Sequence, residues 1–100
     1  MANNIAKKKD VKTFKFWNQS SGNSLDSKEE MMFLVKNKGV MFDPDCSWRA
    51  IVISREGETI EGDYNSTLLY NIIYEDGKIV DAMDLNIVSK EEFERDYQIF

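Results

Sequence analysis

The pair Asp76-Gly77 constrains the fold of this 100-residue chain more than any other feature. It stands between two segments rich in β-forming residues, 67–74 and 78–85. A two-residue type I′ turn needs a positive φ angle at both central positions, which Asp and Gly tolerate better than most residues. The sequence therefore predicts an antiparallel hairpin here, although 66–73 taken alone would also suit one face of a helix.

Further strands are predicted from alternation and from short apolar runs. Residues 11–17 alternate between apolar and polar side chains, which is typical of a strand with one buried face. Residues 48–54 carry apolar side chains on both faces, as a central strand does. The pair Glu56-Gly57 predicts a turn, and a short strand should follow at 58–62.

Two capping boxes predict two helices. In this motif a serine oxygen accepts a hydrogen bond from the amide three residues on, and a glutamate at that position reaches back to the serine amide. Ser27 with Glu30 places one helix at about 28–38, and Ser89 with Glu92 places a second helix at the C-terminus.

These elements predict a small α+β fold with a four- to five-stranded antiparallel sheet, one helix after the first strand and one C-terminal helix. Residues 11–100 should form a single domain, preceded by a flexible basic tail at residues 1–10. No apolar run approaches the roughly 20 residues that span a bilayer, so we expect no membrane association. The single cysteine, Cys46, suits a reducing compartment, and we expect a cytoplasmic protein.

The composition disfavours catalysis and cofactor binding. The chain has no histidine, so it lacks the commonest general base and the commonest transition-metal ligand. Its five glycines stand apart from one another, and none belongs to a phosphate-binding loop. We therefore expect a protein that is not an enzyme and holds neither a cofactor nor a metal.

One short pattern points the other way. Pro44-Asp45, followed at a distance by Asp76-Gly77-Lys78, resembles the two halves of the PD-(D/E)xK nuclease motif. The resemblance implies carboxylates that hold a divalent metal and a lysine that positions the attacking water. Each half also has an explanation as a turn, so the nuclease ranks below a binding function.

Charge is distributed unevenly along the chain. Residues 1–50 contain nine basic and six acidic residues, whereas 51–100 contain four basic and twelve acidic residues. Unpaired carboxylates are costly to bury, so most of them should form exposed negative surface that attracts a basic partner. The predicted partner-binding residues are Glu58, Glu61, Asp63, Tyr74, Glu75, Asp76, Asp81 and Asp84.

The resulting hypothesis is a non-catalytic, acidic protein-binding factor. It would block a basic, nucleic-acid-binding type of surface on its target, as an inhibitor of anti-defence or immunity type from a phage or a bacterium. Direct binding of nucleic acid is disfavoured by the net charge of −5. The alternatives are a protein that sequesters a small ligand and a self-assembling structural protein, and the sequence leaves a homo-oligomer, the partner's identity and the strand order open.

Overall fold

The computed structural model describes residues 5–8, 13–18, 25–43, 45 and 49–99. These residues form a small α+β domain with two helices and antiparallel sheets. The elements are β1 (Ile5–Lys8), β2 (Thr13–Trp17), α1 (Leu25–Asn37), β3 (Val40–Phe42), β4 (Ile51–Arg55), β5 (Glu58–Gly62), β6 (Thr67–Glu75), β7 (Lys78–Val88), α2 (Lys90–Asp96) and β8 (Tyr97–Ile99).

The strands divide between two sheets. The larger sheet has the order β7-β6-β2-β1-β8, and the smaller sheet has the order β3-β4-β5. The expectation of one sheet with four to five strands is therefore only partly met. The difference comes from three short strands, β1, β3 and β8, whose three or four residues carry too little periodicity to be recognised in the sequence.

Strand β1 corrects the expected tail in part. Residues 5–8 pair with β2 on one side and with β8 on the other, so their backbone groups take part in the larger sheet. Strand β1 is not at an edge of the sheet, and its Ala6 side chain is fully buried, so this lysine-rich segment contributes a small apolar side chain to the core. The other residues of the predicted tail lie outside the described residues.

The two hairpin turns follow the prediction. Glu56 and Gly57 have φ angles of 47° and 79°, and Asp76 and Gly77 have φ angles of 52° and 76°. Positive values at both central positions are the signature of a type I′ turn, which matches the twist of paired strands. Residues 67–75 form strand β6, which settles the ambiguity between strand and helix.

Strand β7 contains two irregularities in its pairing with β6. Tyr70 on β6 stands opposite both Asp84 and Leu85, because the neighbouring pairs are Leu69 with Asn86 and Asn71 with Met83. Asp84 has a φ angle of 60°, as expected for the extra residue of a bulge. Simple alternation would place Asp81 and Asp84 on opposite faces of β7, and it does not hold across this bulge.

Two apolar clusters cover the two faces of the larger sheet. The first lies between this sheet, α1 and the smaller sheet, and its buried members are Leu34, Val40, Ile51, Ile53, Leu68, Tyr70, Ala82 and Leu85. The second lies under α2, and its buried members are Ala6, Phe16, Leu69, Val88 and Phe93. Burial of consecutive β6 residues in opposite clusters explains why that strand is apolar on both faces.

Helix α2 begins where the second capping box placed it. The Ser89 hydroxyl oxygen accepts a hydrogen bond from the Glu92 amide at 3.1 Å. Phe93 then reaches the second cluster, where its ring lies 5.1 Å from that of Phe16 and 5.6 Å from that of Tyr97. The short helix is thus fixed by its cap and by one aromatic contact region.

Candidate functional site

A buried carboxylate connects α1 to the larger sheet. Glu30 is 3% exposed, and its carboxylate accepts hydrogen bonds from the Tyr70 hydroxyl at 3.1 Å and the Tyr74 hydroxyl at 2.7 Å. The Lys15 ammonium forms an ion pair with the same carboxylate. We call these four residues the Glu30 network. The Glu30 carboxylate thus has hydrogen-bonding and charged partners from both β2 and β6, and such partners are what a buried charge needs.

This arrangement corrects the expected role of Glu30. Helix α1 begins at Leu25, so Ser27 lies inside the helix rather than before it, and the Glu30 side chain extends to the sheet. The sequence contained one usable signal, because Glu30 precedes the buried Leu34 by four residues and therefore shares its face of the helix. Its partners lie 15, 40 and 44 residues away, beyond any local rule.

The network raises the pKa of Tyr70 above the usual value for tyrosine. Burial is the largest cause, followed by the negative charge of Glu30 and the hydrogen bond to it. Tyr70 therefore stays neutral and keeps donating to Glu30 throughout the neutral range. Because Tyr70 is 1% exposed, its ring is not available to a partner.

Tyr74 and Lys15 form the exposed side of the network. The Tyr74 side chain is 46% exposed, and the Lys15 ammonium lies 5.4 Å from the centre of its ring. This distance allows a cation–π interaction in addition to the ion pair with Glu30. Tyr74, one of the predicted partner-binding residues, thus combines an accessible ring with a hydroxyl committed to the fold.

A cleft of about 320 Å³ lies at the free edge of the larger sheet. Three elements line it: the end of α1, the turn between β4 and β5, and the bulged part of β7. Its lining residues are Asn37, Lys38, Gly39, Ser54, Glu56, Ala82, Met83, Asp84 and Leu85. Gly39 permits the close approach of the first two elements, because a Cβ atom there would collide with the Ser54 carbonyl oxygen.

An ion pair stands beside the cleft. The Lys38 ammonium lies 2.6 Å from a carboxylate oxygen of Asp81. This hydrogen bond, with a second from the Ala82 amide, lowers the pKa of the Asp81 carboxyl below its ordinary value. Asp84, three residues further along β7, has a different partner, because its carboxylate accepts a hydrogen bond from the side-chain Nδ2 of Asn71 at 3.1 Å. The two aspartates therefore serve different contacts.

The remaining predicted carboxylates fall into separate groups. Glu58 and Glu61 are exposed on β5, the edge strand of the smaller sheet. Asp63 organises the loop after β5 by accepting hydrogen bonds from the Asn65 amide at 2.9 Å and from the Ser66 hydroxyl at 3.0 Å.

Glu75 and Asp76 lie apart from these groups, at the tip of the β6–β7 hairpin. The eight positions from Asp76 to Asp84 correspond to roughly 25 Å of extended strand. The structure therefore places strand β5 beside β7 but leaves the hairpin tip distant from Asp84.

Strands β5 and β7 are neighbours, although Glu58 and Glu61 are three positions apart on a regularly paired strand and therefore lie on opposite faces of β5. The two strands are in contact, and Gly62 at the end of β5 packs against the Ile87 side chain and Ser66. Glu56, at the start of the same hairpin, shares the cleft with Asp84. We define the acidic edge as the exposed or half-exposed carboxylates of these neighbouring strands: Glu56, Glu58, Glu61, Asp81 and Asp84.

The nuclease pattern has a local structural explanation at both halves. Asp45 donates its amide to the Asp43 carboxylate at 3.2 Å, which forms a turn, and Asp76 occupies the hairpin tip. Pro44 lies outside the described residues. Within the described part of the chain, no group of three or more Asp, Glu, Cys or His side chains is arranged to hold a metal ion.

The helices are short, and among the described residues none is long and apolar enough to cross a membrane. Comparison with protein families, curated proteins and solved structures gives no match for this chain.

Proposed function

We propose that this protein acts without catalysis and binds a protein with a basic surface through the acidic edge. The observation that supports this proposal is the contact between β5 and β7, which makes carboxylate-bearing strands of the two sheets neighbours. Residues 51–88 carry eight acidic and two basic side chains, and Lys38 from the end of α1 adds a cation that is paired with Asp81. Such a field accelerates and orients the approach of a cationic partner.

The predicted binding set is narrowed by this geometry. Glu58, Glu61, Asp81 and Asp84 remain in the proposed interface. Asp63 and Tyr74 serve local contacts, and they would contribute mainly by shaping or flanking the surface. The hairpin tip with Glu75 and Asp76 would touch only a large partner.

The biological role that we propose is inhibition of a nucleic-acid-binding protein, of anti-defence or immunity type. A rigid surface of carboxylates can occupy a groove that otherwise accepts phosphates, because both present repeated negative charge. The small size of the chain and the lack of histidine support a role by occlusion rather than by chemistry. The excess of ten lysines over three arginines is typical of AT-rich codon usage, so a phage or a low-GC bacterium is the proposed source, and the cytoplasm the proposed location.

The test is an affinity capture with two charge-matched variants. Tagged wild type, Glu58→Gln/Glu61→Gln and Glu91→Gln/Glu94→Gln are incubated with lysate of a low-GC bacterium at low and high salt. Both variants lose two negative charges, but the second pair lies on the exposed side of α2, outside the acidic edge.

The proposal expects one stoichiometric partner with a basic surface, retained by the wild type and by the α2 variant at low salt. The β5 variant should lose that partner even at low salt, and high salt should release it from the wild type and the α2 variant because exposed charges are screened. Equal retention by the β5 variant would refute the acidic edge as the interface.

A second candidate function is sequestration of a small ligand. The observation that favours it is the cleft, whose volume of about 320 Å³ is at the lower limit for ligand pockets. Mass spectrometry of the protein purified under mild conditions tests this candidate, because a sequestered metabolite would copurify.

A further inference from the structure

The cleft beside β7 has an excess of negative charge. Lys38 is the one cation among its described lining residues, and its ammonium is bound by Asp81. Glu56 and Asp84 contribute two carboxylates to the lining, and the 13-residue helix α1 ends at the cleft with Asn37. The C-terminus of a helix carries a partial negative charge, which favours a cation near it. The cleft is therefore suited to a positively charged group.

The walls of the cleft are partly apolar. Ala82 and Leu85 form its buried floor, and Met83 is 47% exposed. The thioether side chain of methionine is flexible and adapts to the shape of an apolar partner. A ligand that fits this lining combines an aliphatic stem with a cationic tip, which describes a long basic side chain.

Arginine fits these features better than lysine does. Its guanidinium is planar and carries five N–H donors, so it can bind a carboxylate and neighbouring carbonyl groups at the same time. The exposed Glu56 and the end of α1 both line the cleft, and they belong to separate elements that a branched donor can bridge. A single ammonium group would satisfy fewer of these acceptors.

We infer that the cleft is the subsite that receives an arginine side chain of the basic partner protein, with Glu56 as the principal contact of the guanidinium. This inference rests on the proposed function, since it assigns one residue type of the partner to one place on the acidic edge. Asp84 adds negative field from β7, and the Lys38–Asp81 ion pair keeps the lysine charge from repelling the guanidinium.

The experiment uses a defined probe and the full chain. The ¹⁵N-labelled protein is titrated with acetyl-Gly-Arg-Gly-amide while its amide resonances are followed by NMR. The control peptide carries citrulline in place of arginine, which keeps the shape of the side chain and removes its charge. A single side chain in such a site should bind with a Kd on the order of 1 mM.

The inference expects saturable shifts at amides that line the cleft, such as those of Gly39, Ser54 and Met83, and no saturable shift with the citrulline peptide. Glu56→Gln should weaken arginine binding roughly tenfold, because it replaces a charged acceptor with a neutral one. Glu91→Gln, on the exposed side of α2 and outside both the cleft lining and the acidic edge, should leave the Kd within about twofold.

Two results would overturn the inference. One is the lack of saturable shifts at these amides at peptide concentrations about ten times the expected Kd. The other is equal binding of the arginine and citrulline peptides. Because Glu56 has a positive φ angle, Glu56→Asn serves as a second variant, since asparagine tolerates this conformation and preserves the turn.

These outcomes are separable from failure of the proposed function. The peptide assay needs no natural partner, and the β5 variant Glu58→Gln/Glu61→Gln leaves the cleft lining unchanged. If that variant loses the partner and the arginine peptide causes no saturable shifts at the cleft amides, the subsite alone is refuted. A cleft that binds arginine together with full partner retention by the β5 variant would refute the acidic edge.

Discussion

Replacing Glu30 should destabilise the fold more than replacing any exposed carboxylate. The Glu30 side chain is 4% exposed, it accepts hydrogen bonds from the hydroxyls of two tyrosines, and it forms an ion pair with Lys15. Glu30→Gln keeps the shape of the side chain but removes its charge. It also replaces one of the two acceptor oxygens, which bind the tyrosine hydroxyls and the Lys15 ammonium, with an amide nitrogen that cannot accept. The substitution therefore weakens the link between α1 and β6 without creating a cavity.

The magnitude follows from the three contacts. A hydrogen bond to a charged group contributes about 1.5–3 kcal/mol and a neutral one about 0.5–1.5 kcal/mol, so two tyrosine bonds lose about 2 kcal/mol together. The ion pair adds little to this sum, because the Lys15 side chain is 33% exposed and water can solvate its ammonium. Glu30→Ala should cost about 3–4 kcal/mol, since the buried Tyr70 hydroxyl would then lack its acceptor.

Urea unfolding measures this effect. Trp17 packs against Phe42 beside the first cluster, with ring centres 4.8 Å apart, so its fluorescence should report loss of the tertiary structure. The matched control is Glu29→Gln, which alters the neighbouring exposed residue of the same helix. The control should change the free energy of unfolding by less than about 0.5 kcal/mol. A Glu30→Gln protein as stable as this control would refute the account of the network.

Three further predictions concern the backbone, the buried phenol and a helix cap. Gly39→Ala should lower the free energy of unfolding by about 3 kcal/mol or more, and Gly77→Ala by only about 1 kcal/mol. Both glycines have a positive φ angle, but only at Gly39 would the added Cβ atom collide with backbone, and thermal unfolding compares the two variants directly. The raised pKa of Tyr70 means that the folded state holds this proton more tightly, so its contribution to stability is present below about pH 10 and lost at higher pH. Tyr70→Phe should therefore make stability fall less steeply between neutral and strongly alkaline pH in urea titrations, and an unchanged slope would contradict the assignment. Ser89→Ala should cost about 1 kcal/mol in the same titrations through loss of the α2 cap, whereas Ser89→Asp should restore it.

The parts of the fold that sequence reasoning identified depend on short-range signals. The hairpin turns at Asp76-Gly77 and Glu56-Gly57 follow from backbone angles that few residues adopt, and the cap at Ser89 follows from a four-residue pattern. Strand β6 was identifiable because its β-forming residues lead into the Asp76-Gly77 turn, although the segment alone also suited one face of a helix.

The parts that were missed depend on tertiary context. Strands β3 and β8 are three residues long, and each exists because a neighbouring strand supplies its hydrogen-bond partners. The bulge at Asp84 changes which residues of β7 face the core, and no composition signal marks it. Glu30 matched a local capping rule, but the hydrogen-bond donors brought near it by the fold determine its position.

The candidate site shows the same division. The acidic character of residues 51–88 was visible in the sequence, whereas the contact between the carboxylate-bearing strands β5 and β7 was not. The cleft was also invisible, because the end of α1, the β4–β5 turn and β7 are distant in the chain. Sequence reasoning proposed the kind of partner, and the structure narrows where it would bind.

The most direct test of the acidic edge is the equilibrium affinity of the captured partner for three proteins at one salt concentration. Isothermal titration calorimetry would compare the wild type with Glu58→Gln/Glu61→Gln and with Glu91→Gln/Glu94→Gln. The account predicts roughly tenfold weaker binding for the β5 variant, about 1.4 kcal/mol for two interfacial charges, and an unchanged Kd for the α2 variant. Equal Kd values for both variants would show that net charge, and not this surface, governs binding, and would contradict the account.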